Sequence, residues 1–349
     1  MILAANSRPG RSGSALLISL AVLVCVLLTS CNRQPEVIEL TGATMGTSYH
    51  ITAYGEAASH LEGSVLQEQV DELLDDLNQT FSTYLTDSEL SRLNQAPIQH
   101  WIAVSESMMD LTETSRDIYR RSGGAFDPTV GPLVDLWGFG PAGRTEQIPS
   151  AVEIEALRSR SGMALLSIDS RKQRLMRQSA IQLDYSAIAK GYAVDQVEAL
   201  LFAQGLSNLM VEIGGEIRVR GMSPRNSPWR LAVERPDGGI GQPYQAMLLS
   251  DLAVATSGDY RNYYEIEGER VSHTLDPATG RPIAHHGISV TVIASSAAEA
   301  DGWATALNVL GPQTGFELAE GAQIAAFFIF IEDGEFEQRF TQAFEPYLD

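Results

Sequence analysis

The sequence predicts an α+β fold of mixed or antiparallel sheets with flanking helices, not of the Rossmann type. After Gly205 the chain turns largely to strand patterns: Asn208 to Ile213, Glu216 to Arg220, Trp229 to Glu234, Ala246 to Thr256, Arg270 to Leu275 and Ile288 to Ala294. Strands that follow a run of helices, joined by short turns such as Asp237-Gly238-Gly239, suit antiparallel ladders better than a doubly wound sheet. No Gly-x-Gly-x-x-Gly stretch follows a strand, so a dinucleotide would not be held in the Rossmann manner. At 349 residues, 44% of them hydrophobic, the chain can bury a sizeable core. It shows no repeats, low-complexity tracts or long linkers, which predicts one compact unit over residues 37–349, in one lobe or two.

The first 31 residues stand apart. Arg8 and Arg11 precede an apolar run from Ala15 to Leu28, which ends Leu28-Thr29-Ser30-Cys31. The run is short for a transmembrane helix and is flanked as a secretory signal is, with an uncleaved anchor helix as the alternative. Its end resembles the lipobox of bacterial lipoproteins. That implies removal of residues 1–30, lipid on Cys31, a tether over 31–36, and a protein held on the cell envelope by acyl chains. It would face the periplasm, on the inner membrane in preference to the outer. Cys25 would leave with the signal, so no disulfide forms and the domain relies on its core.

The formal charge is −20, and the leader carries two arginines and no acids, so the remainder is more acidic still. This excludes nucleic acid as a partner and electrostatic adhesion to anionic lipid. An anionic substrate would need a local positive site.

Val37 to Tyr54 alternates apolar and polar residues around a glycine-containing interruption, which predicts two strands or one bent strand with Met45 at the bend. From Leu61 to Gln79, Leu61, Val65, Leu66, Val70, Leu73, Leu74 and Leu77 follow helical spacing with an acidic opposite face. Thr86-Asp87-Ser88-Glu89 predicts a capping box that starts a shorter helix. Tyr84, in the loop before it, is placed to stack on an aromatic ligand or simply to pack. Trp101 to Val104 predicts a short strand, and Ser105 to Arg121 a helix closed by Gly123-Gly124. Gly123-Gly124-Ala125-Phe126-Asp127-Pro128 is a turn whose glycines also allow close approach of a flat ligand. Trp137 to Pro149 predicts a surface loop, and Ser150 with Glu153 a capped helix. A helix over 297 to 310 and strands near Ile324 to Ile331 and Phe336 to Phe340 end the chain.

Two stretches carry the chemistry. From Ile181 to Leu183 a strand-like alternation passes through Asp184 and Ser186 into a helical pattern. A helix start of that kind offers unpaired N–H groups and the positive end of a dipole to a phosphate or carboxylate. Lys190, one of only two lysines in the chain, lies one turn inside and can meet a phosphate as a compact charge. Gly191 costs roughly 1 kcal/mol in a helix, so something packs closely there. An ordinary capped helix with a solvated lysine is the alternative.

The second stretch, Ala298 to Leu307, places Asp301 and Thr305 four residues apart on one helix face, a carboxylate beside a hydroxyl. Such a pair suits magnesium, which takes oxygen donors and is usually shared with a substrate phosphate. An isolated Asp-x-x-x-Thr in which the threonine bonds back to its own helix is the alternative. His273, at a strand end beside Thr274 and Asp276, can accept a proton from an attacking hydroxyl or serve structure alone. The adjacent His285 and His286 lack the spacing of a zinc pair and receive no role.

Together, Leu-Asp-x-Ser-Ala-Ile-Ala-Lys-Gly-Tyr-Ala-Val-Asp at 183–195 and Glu-Ala-Asp-x-Trp-Ala-Thr-Ala-Leu at 299–307 resemble the signature of the FAD:protein FMN transferases, the ApbE family. Further pieces follow in that family's order: Thr44-Met45-Gly46-Thr47, Phe81-Ser82-Thr83-Tyr84, Gly124 to Leu133, Asn208 to Glu216 and Ser272 to Gly280.

The resemblance implies a Mg²⁺-dependent catalytic domain over 37–349 that takes FAD as substrate, passes FMN to a Thr or Ser hydroxyl of a target protein, and releases AMP. It implies flavin contacts at Met45, Tyr84, Ala125, Phe126, Asp127 and His273, with Asp184 and Lys190 binding FAD. The metal ligands would be Asp301, Thr305 and the Ala187 carbonyl, and the catalytic residues Asp301 and His273, the latter as candidate base. The acceptor would be a protein, expected to be an electron-transport flavoprotein subunit, with a Ser/Thr-Gly-Ala-Thr/Ser motif. Thr41-Gly42-Ala43-Thr44 resembles such a motif by coincidence, since the chain's own N-terminal motif begins there. FAD hydrolysis by water, or flavin binding and delivery without chemistry, are the alternative functions.

Overall fold

The computed structural model describes residues 37–145, 147–236, 242–258, 263–266, 269–285 and 287–349. The leader, Cys31, the 31–36 tether, Asp237-Gly238-Gly239 and His286 lie outside the described residues.

An eight-stranded sheet organises the molecule. Its strands are β1 (Val37–Thr44), β2 (Thr47–Tyr54), β6 (Asn208–Ile213), β7 (Glu216–Arg220), β10 (Ala253–Gly258), β15 (Gly287–Ala294), β16 (Ala325–Glu332) and β17 (Glu335–Phe340), in that spatial order. Every neighbouring pair is antiparallel, as the α+β reading requires.

Alternation along the strands divides two cores. Tyr49, Ile51, Leu209, Val211, Val290, Val292, Ala326 and Phe328 face the larger one. That core is closed by four helices: α1 (Gly63–Phe81), α3 (Glu106–Arg121), α6 (Ala189–Ala203) and α7 (Ala297–Gly321). Tyr54, Val219, Val254, Ile293 and Phe327 face the other way, against the hairpin of β8 (Trp229–Glu234) and β9 (Pro243–Leu249) and the C-terminal Phe344. A third, smaller core gathers Leu133, Trp137, Ile154, Tyr264, Val271 and Leu275.

Hydrophobic period located the elements well, and local chemistry moved their ends. Val37 to Tyr54 is a hairpin turned by Met45 (φ 47°) and Gly46 (φ 74°), the two positive angles a tight hairpin turn of this hand needs. In α1, Val65 is 47% exposed although its spacing placed it on the apolar face. Helix α2 (Glu89–Gln95) is capped by Ser88 rather than by a box from Thr86: Ser88 accepts from Ser91 N–H, while Glu89 accepts from Ser105 N–H.

The box at Ser150 and Glu153 does form and starts α5 (Ala151–Arg158). Residues 131–136 form a short helix, α4 (Gly131–Leu136), with Pro132 in its first turn. The following loop is not a surface loop throughout, since Trp137 is 3% exposed and donates from its indole to Gly280 O.

The strand expected over Ala246 to Thr256 is two strands of different sheets, broken at Asp251 (φ 57°). The strand expected over Arg270 to Leu275 divides into β12 (Glu269–Ser272) and β13 (Leu275–Asp276), with His273 between them. Beside the main sheet, β4 (Leu166–Asp169) and β5 (Arg174–Arg177) join β3 (Ile102–Ala103) in a three-stranded sheet.

Helix α7 continues past residue 310 through a kink at Gly311-Pro312. Pro312 has no N–H for the Asn308 carbonyl, and the His285 ring takes that place: its Nε2 donates to Asn308 O at 2.7 Å, while Gly287 N–H donates to Nδ1 at 3.0 Å. His285, which received no role from its spacing, thus holds the kink together.

Candidate functional site

The segment 181–188 is not a strand. It makes one parallel bridge, Gln182 to Val130, and Asp184 N–H donates to Pro128 O at 2.7 Å. The chain then turns through Tyr185, whose carbonyl accepts from Ile188 and Ala189 N–H, and enters α6 at Ala189. Ile188 provides no side-chain cap. The first free N–H groups therefore look outward, and one finds an acid from the next helix: Gly191 N–H donates to Asp301 Oδ2 at 3.1 Å.

As the third residue of α6, Gly191 carries one of the donors that a helix start leaves without a partner inside the helix. Ala187 stands just outside α6, four residues before Gly191, and the half-buried Thr305 lies one turn beyond Asp301 on the next helix.

The two helix starts touch at backbone level. A Cβ on Gly191 would lie 2.3 Å from Ala297 O and 2.9 Å from Ala298 Cα. Asp195 locks this contact from the next turn of α6. Its Oδ1 accepts from Ala297 N–H at 2.8 Å, its Oδ2 from Ala298 N–H at 2.9 Å, and Arg218 donates to Oδ1 at 2.9 Å. Asp195 ended the first signature stretch without a role; it positions α7 and so Asp301.

Glu216 is the larger omission. It opens β7 after the Gly214-Gly215 turn and is 4% exposed. Lys190 Nζ stands 3.4 Å from Glu216 Oε1 and 3.9 Å from Asp301 Oδ2. A Cβ on Gly214 would lie 2.9 Å from the Thr47 side chain and 3.3 Å from Lys190 Cδ, so the 214–215 turn and the start of β2 both border the lysine.

Burial pushes the Glu216 carboxyl up to about 8, against the pull of Lys190 and with the Asp301 charge adding to the rise. Asp301 is also raised, by burial first, against Lys190 and the Gly191 N–H. For Lys190, burial acts downward but the two carboxylates outweigh it, and its pKa rises. In a simple ion pair the carboxylate falls as the ammonium rises. Here both carboxyls rise, because burial outweighs the pull of the one ammonium they share.

A second group surrounds Asp184, whose Oδ1 accepts from Ser186 N–H at 2.8 Å. It lines a polar cavity of about 150 Å³ with Thr83, Asn94, Gln95, Asp135 and Gln182. Asp135 is raised by burial and by the Asp184 charge, and its Oδ1 is buried without a hydrogen bond among the described residues. In the 123–128 turn, Ala125 and Phe126 are buried. Asp127 turns its carboxylate inward onto Thr129, accepting from N–H at 2.8 Å and from the hydroxyl at 2.7 Å; burial raises it and these bonds oppose the rise.

A third group is aromatic. The half-buried His273 ring lies 6.4 Å from that of Phe139, which is 4.9 Å from Tyr264, and Tyr84, 68% exposed, donates from its hydroxyl to Phe139 O at 3.3 Å. Phe139, in the stretch expected to be surface loop, therefore links Tyr84 to His273. β13, two residues beyond His273, packs on α7. Met45 packs against the main core at the hairpin tip, in a left-handed conformation that a methionine rarely adopts.

Thr44 is 7% exposed, its hydroxyl accepting from Asn78, so the tetrapeptide-like Thr41 to Thr44 is strand rather than an accessible acceptor. Among the described residues no group of three or more His, Cys, Asp or Glu side chains is gathered for a metal. A site made of one carboxylate, one hydroxyl and one carbonyl is of a different kind.

Comparison with known proteins agrees with this architecture. The chain is 41% identical to the FAD:protein FMN transferase of Vibrio cholerae serotype O1 over 333 residues, 95% of this chain and 98% of the relative. The solved flavin transferase ApbE from Vibrio cholerae superposes with a TM-score of 0.83 at 40% identity, over 90% of this chain and all of that one. The apo form of the flavinyl transferase ApbE from Pseudomonas stutzeri gives 0.83 at 42% identity, over 90% and 98%. The model described as the ApbE family matches residues 45–328, which hold every piece of the site described above, and the chain belongs to that family.

Proposed function

We propose that the protein is a FAD:protein FMN transferase that works with Mg²⁺, moving FMN from FAD to a Thr or Ser hydroxyl of a target protein and releasing AMP. The observation that carries this reading is the junction of α6 and α7, where Gly191 N–H and the Lys190 ammonium converge on the Asp301 carboxylate, with Ala187 just before α6 and Thr305 one turn beyond Asp301. The printed names of the relatives support the transferase part.

The donor set fits a small hard cation: a carboxylate, a hydroxyl and a carbonyl, next to a buried cluster in which two carboxyls share one lysine. Bound there, Mg²⁺ would offset the charge of the pyrophosphate oxygens. The protein's own share is positioning. Lys190 meets a phosphate as a point charge, and Asp195 keeps the two helix starts in register. Asp184 and the cavity around it, with Asp127, Phe126, Ala125, Tyr84 and Met45 nearby, hold the rest of FAD. The acceptor oxygen bonds to the phosphorus of the FMN half, the bond from that phosphorus to the bridging oxygen breaks, and AMP leaves. His273 takes the hydroxyl proton.

The acceptor would carry a Ser/Thr-Gly-Ala-Thr/Ser motif, as in an electron-transport flavoprotein subunit. The lipobox at Cys31 supports a lipid-anchored enzyme facing the periplasm.

The test combines FAD, Mg²⁺ and an acceptor carrying that motif, and follows covalently fluorescent acceptor together with AMP. Both should appear in equal amounts. AMP without labelled acceptor would make the enzyme a FAD pyrophosphatase instead. In His273→Ala, transfer should fall about 10²- to 10⁴-fold with FAD affinity nearly kept, as for loss of a general base. Weak FAD binding with near-normal transfer at saturation would remove His273 as base.

A further inference from the structure

Glu216 is almost fully buried, yet only one of its carboxylate oxygens is engaged. Oε1 faces Lys190 at 3.4 Å, while Oε2 is buried with no hydrogen bond among the described residues. A half-satisfied buried carboxylate costs stability, and a neutral residue of similar shape would serve the fold better. Its position accounts for the cost. Lys190 Nζ is closer to Glu216 than to Asp301, at 3.4 Å against 3.9 Å, so the ammonium is drawn toward β7 and away from α7. Without that pull Lys190 would close on Asp301. A carboxylate paired with an ammonium is a poor ligand for a divalent cation, because each metal–oxygen bond must then compete with the ion pair.

Resting on the magnesium reading of this site, we propose that Glu216 is a positioning residue for the transfer reaction, holding the Lys190 ammonium back from Asp301 so that Asp301 remains available to the cation. The surroundings suit such a restraint. Glu216 follows a turn in which Gly214 (φ 62°) and Gly215 (φ 103°) both take left-handed angles, and Gly214 lies against the stem of Lys190. Carboxylate and lysine are thus fixed relative to each other by backbone on both sides.

The measurement is cation binding to the full chain, with Mn²⁺ as probe and the paramagnetic resonance signal of the free ion as readout, with and without FAD. Glu216→Gln should weaken Mn²⁺ binding 10- to 100-fold, the usual effect of losing a residue that orients a metal ligand. The metal-free protein should melt at the same temperature or higher, since a poorly satisfied charge has gone. Adding Lys190→Gln to Glu216→Gln should restore much of the lost affinity, because the competitor for Asp301 is then absent, a recovery that a merely structural residue would not give. If Glu216→Gln does not fold, Glu216→Asp carries the test: its shorter stem should weaken Mn²⁺ binding, and Lys190→Gln should again recover it. Wild-type affinity in Glu216→Gln, or no recovery on adding Lys190→Gln, overturns the role given to Glu216. A wild-type chain that binds no Mn²⁺ in either condition overturns the magnesium reading as well.

Discussion

Gly191→Ala is the sharpest test of how the two helix starts are held. By helix propensity alone the change should stabilise α6 by up to about 1 kcal/mol. The structure predicts the opposite sign. The new Cβ would stand 2.3 Å from Ala297 O and 2.6 Å from its carbonyl carbon, where ordinary contact begins at 3.4 Å. Both atoms are backbone, so no rotamer change relieves the clash, and the helix starts must separate by about 1 Å, a shift that can cost roughly 10²-fold when it falls on reacting groups. Overpacking of this kind costs about 1–3 kcal/mol, which leaves a net loss of up to about 2 kcal/mol after the propensity gain. For a chain of this size that lowers Tm by up to roughly 3 °C. The separation falls on the bond from Gly191 N–H to Asp301. FMN transfer at saturating FAD should therefore drop about 10²-fold while most of the fold survives. Melting the variant and timing acceptor labelling decide the matter: a Gly191→Ala protein as stable and as fast as wild type would refute a backbone-level clamp between α6 and α7.

Three further outcomes are expected. Asp301→Ala should lose Mg²⁺-dependent transfer yet keep a cooperative melt, because it removes the proposed ligand and also relieves one of two buried carboxylates; metal-dependent turnover surviving in it would sink the magnesium assignment. His285→Ala removes the donor that satisfies Asn308 O and the acceptor of Gly287 N–H, so urea unfolding should show a loss of about 1–3 kcal/mol, and an unchanged midpoint would deny His285 its part in the kink. Cys31→Ser should abolish acyl labelling and detergent partitioning, since only the thiol can carry the expected lipid; unaltered labelling in that variant would end the lipobox reading.

How much of this was legible in the sequence depended on the range of the signal. Elements with a long hydrophobic period, such as α1 and β15, were found with their ends nearly right, because burial of one face selects one register. Where a local rule competed with tertiary contacts it failed. Thr86 had the pattern of a cap, but Ser88 holds the position while Glu89 bonds to Ser105, sixteen residues away. Ala246 to Thr256 kept one apolar pattern through a turn that moves the chain between sheets, and a left-handed Asp251 leaves no mark on periodicity. Within the site, Asp301 and Lys190 stood out because each is a charge at helical spacing in an apolar or small-residue setting. Glu216 did not, since an acid at the start of a strand looks solvated until the fold buries it.

The buried acids of this region then separate by how well they are satisfied. Asp195 accepts two backbone N–H groups and an arginine donor, and it serves geometry. Glu198, 3% exposed, is held by Arg218 at 3.2 Å and by Arg220, and likewise serves geometry. Asp301 has one backbone N–H and a shared lysine at 3.9 Å, and Glu216 has that lysine and an idle oxygen. Folding alone disfavours the latter arrangement, because a buried carboxylate gains most when each lone pair finds a donor. The deficit is concentrated where α6, α7 and β7 meet. A fold that satisfies Asp195 and Glu198 within two turns of helix has the means to satisfy Asp301 and Glu216 as well, and leaving them short of positive charge is what the proposed cation site requires.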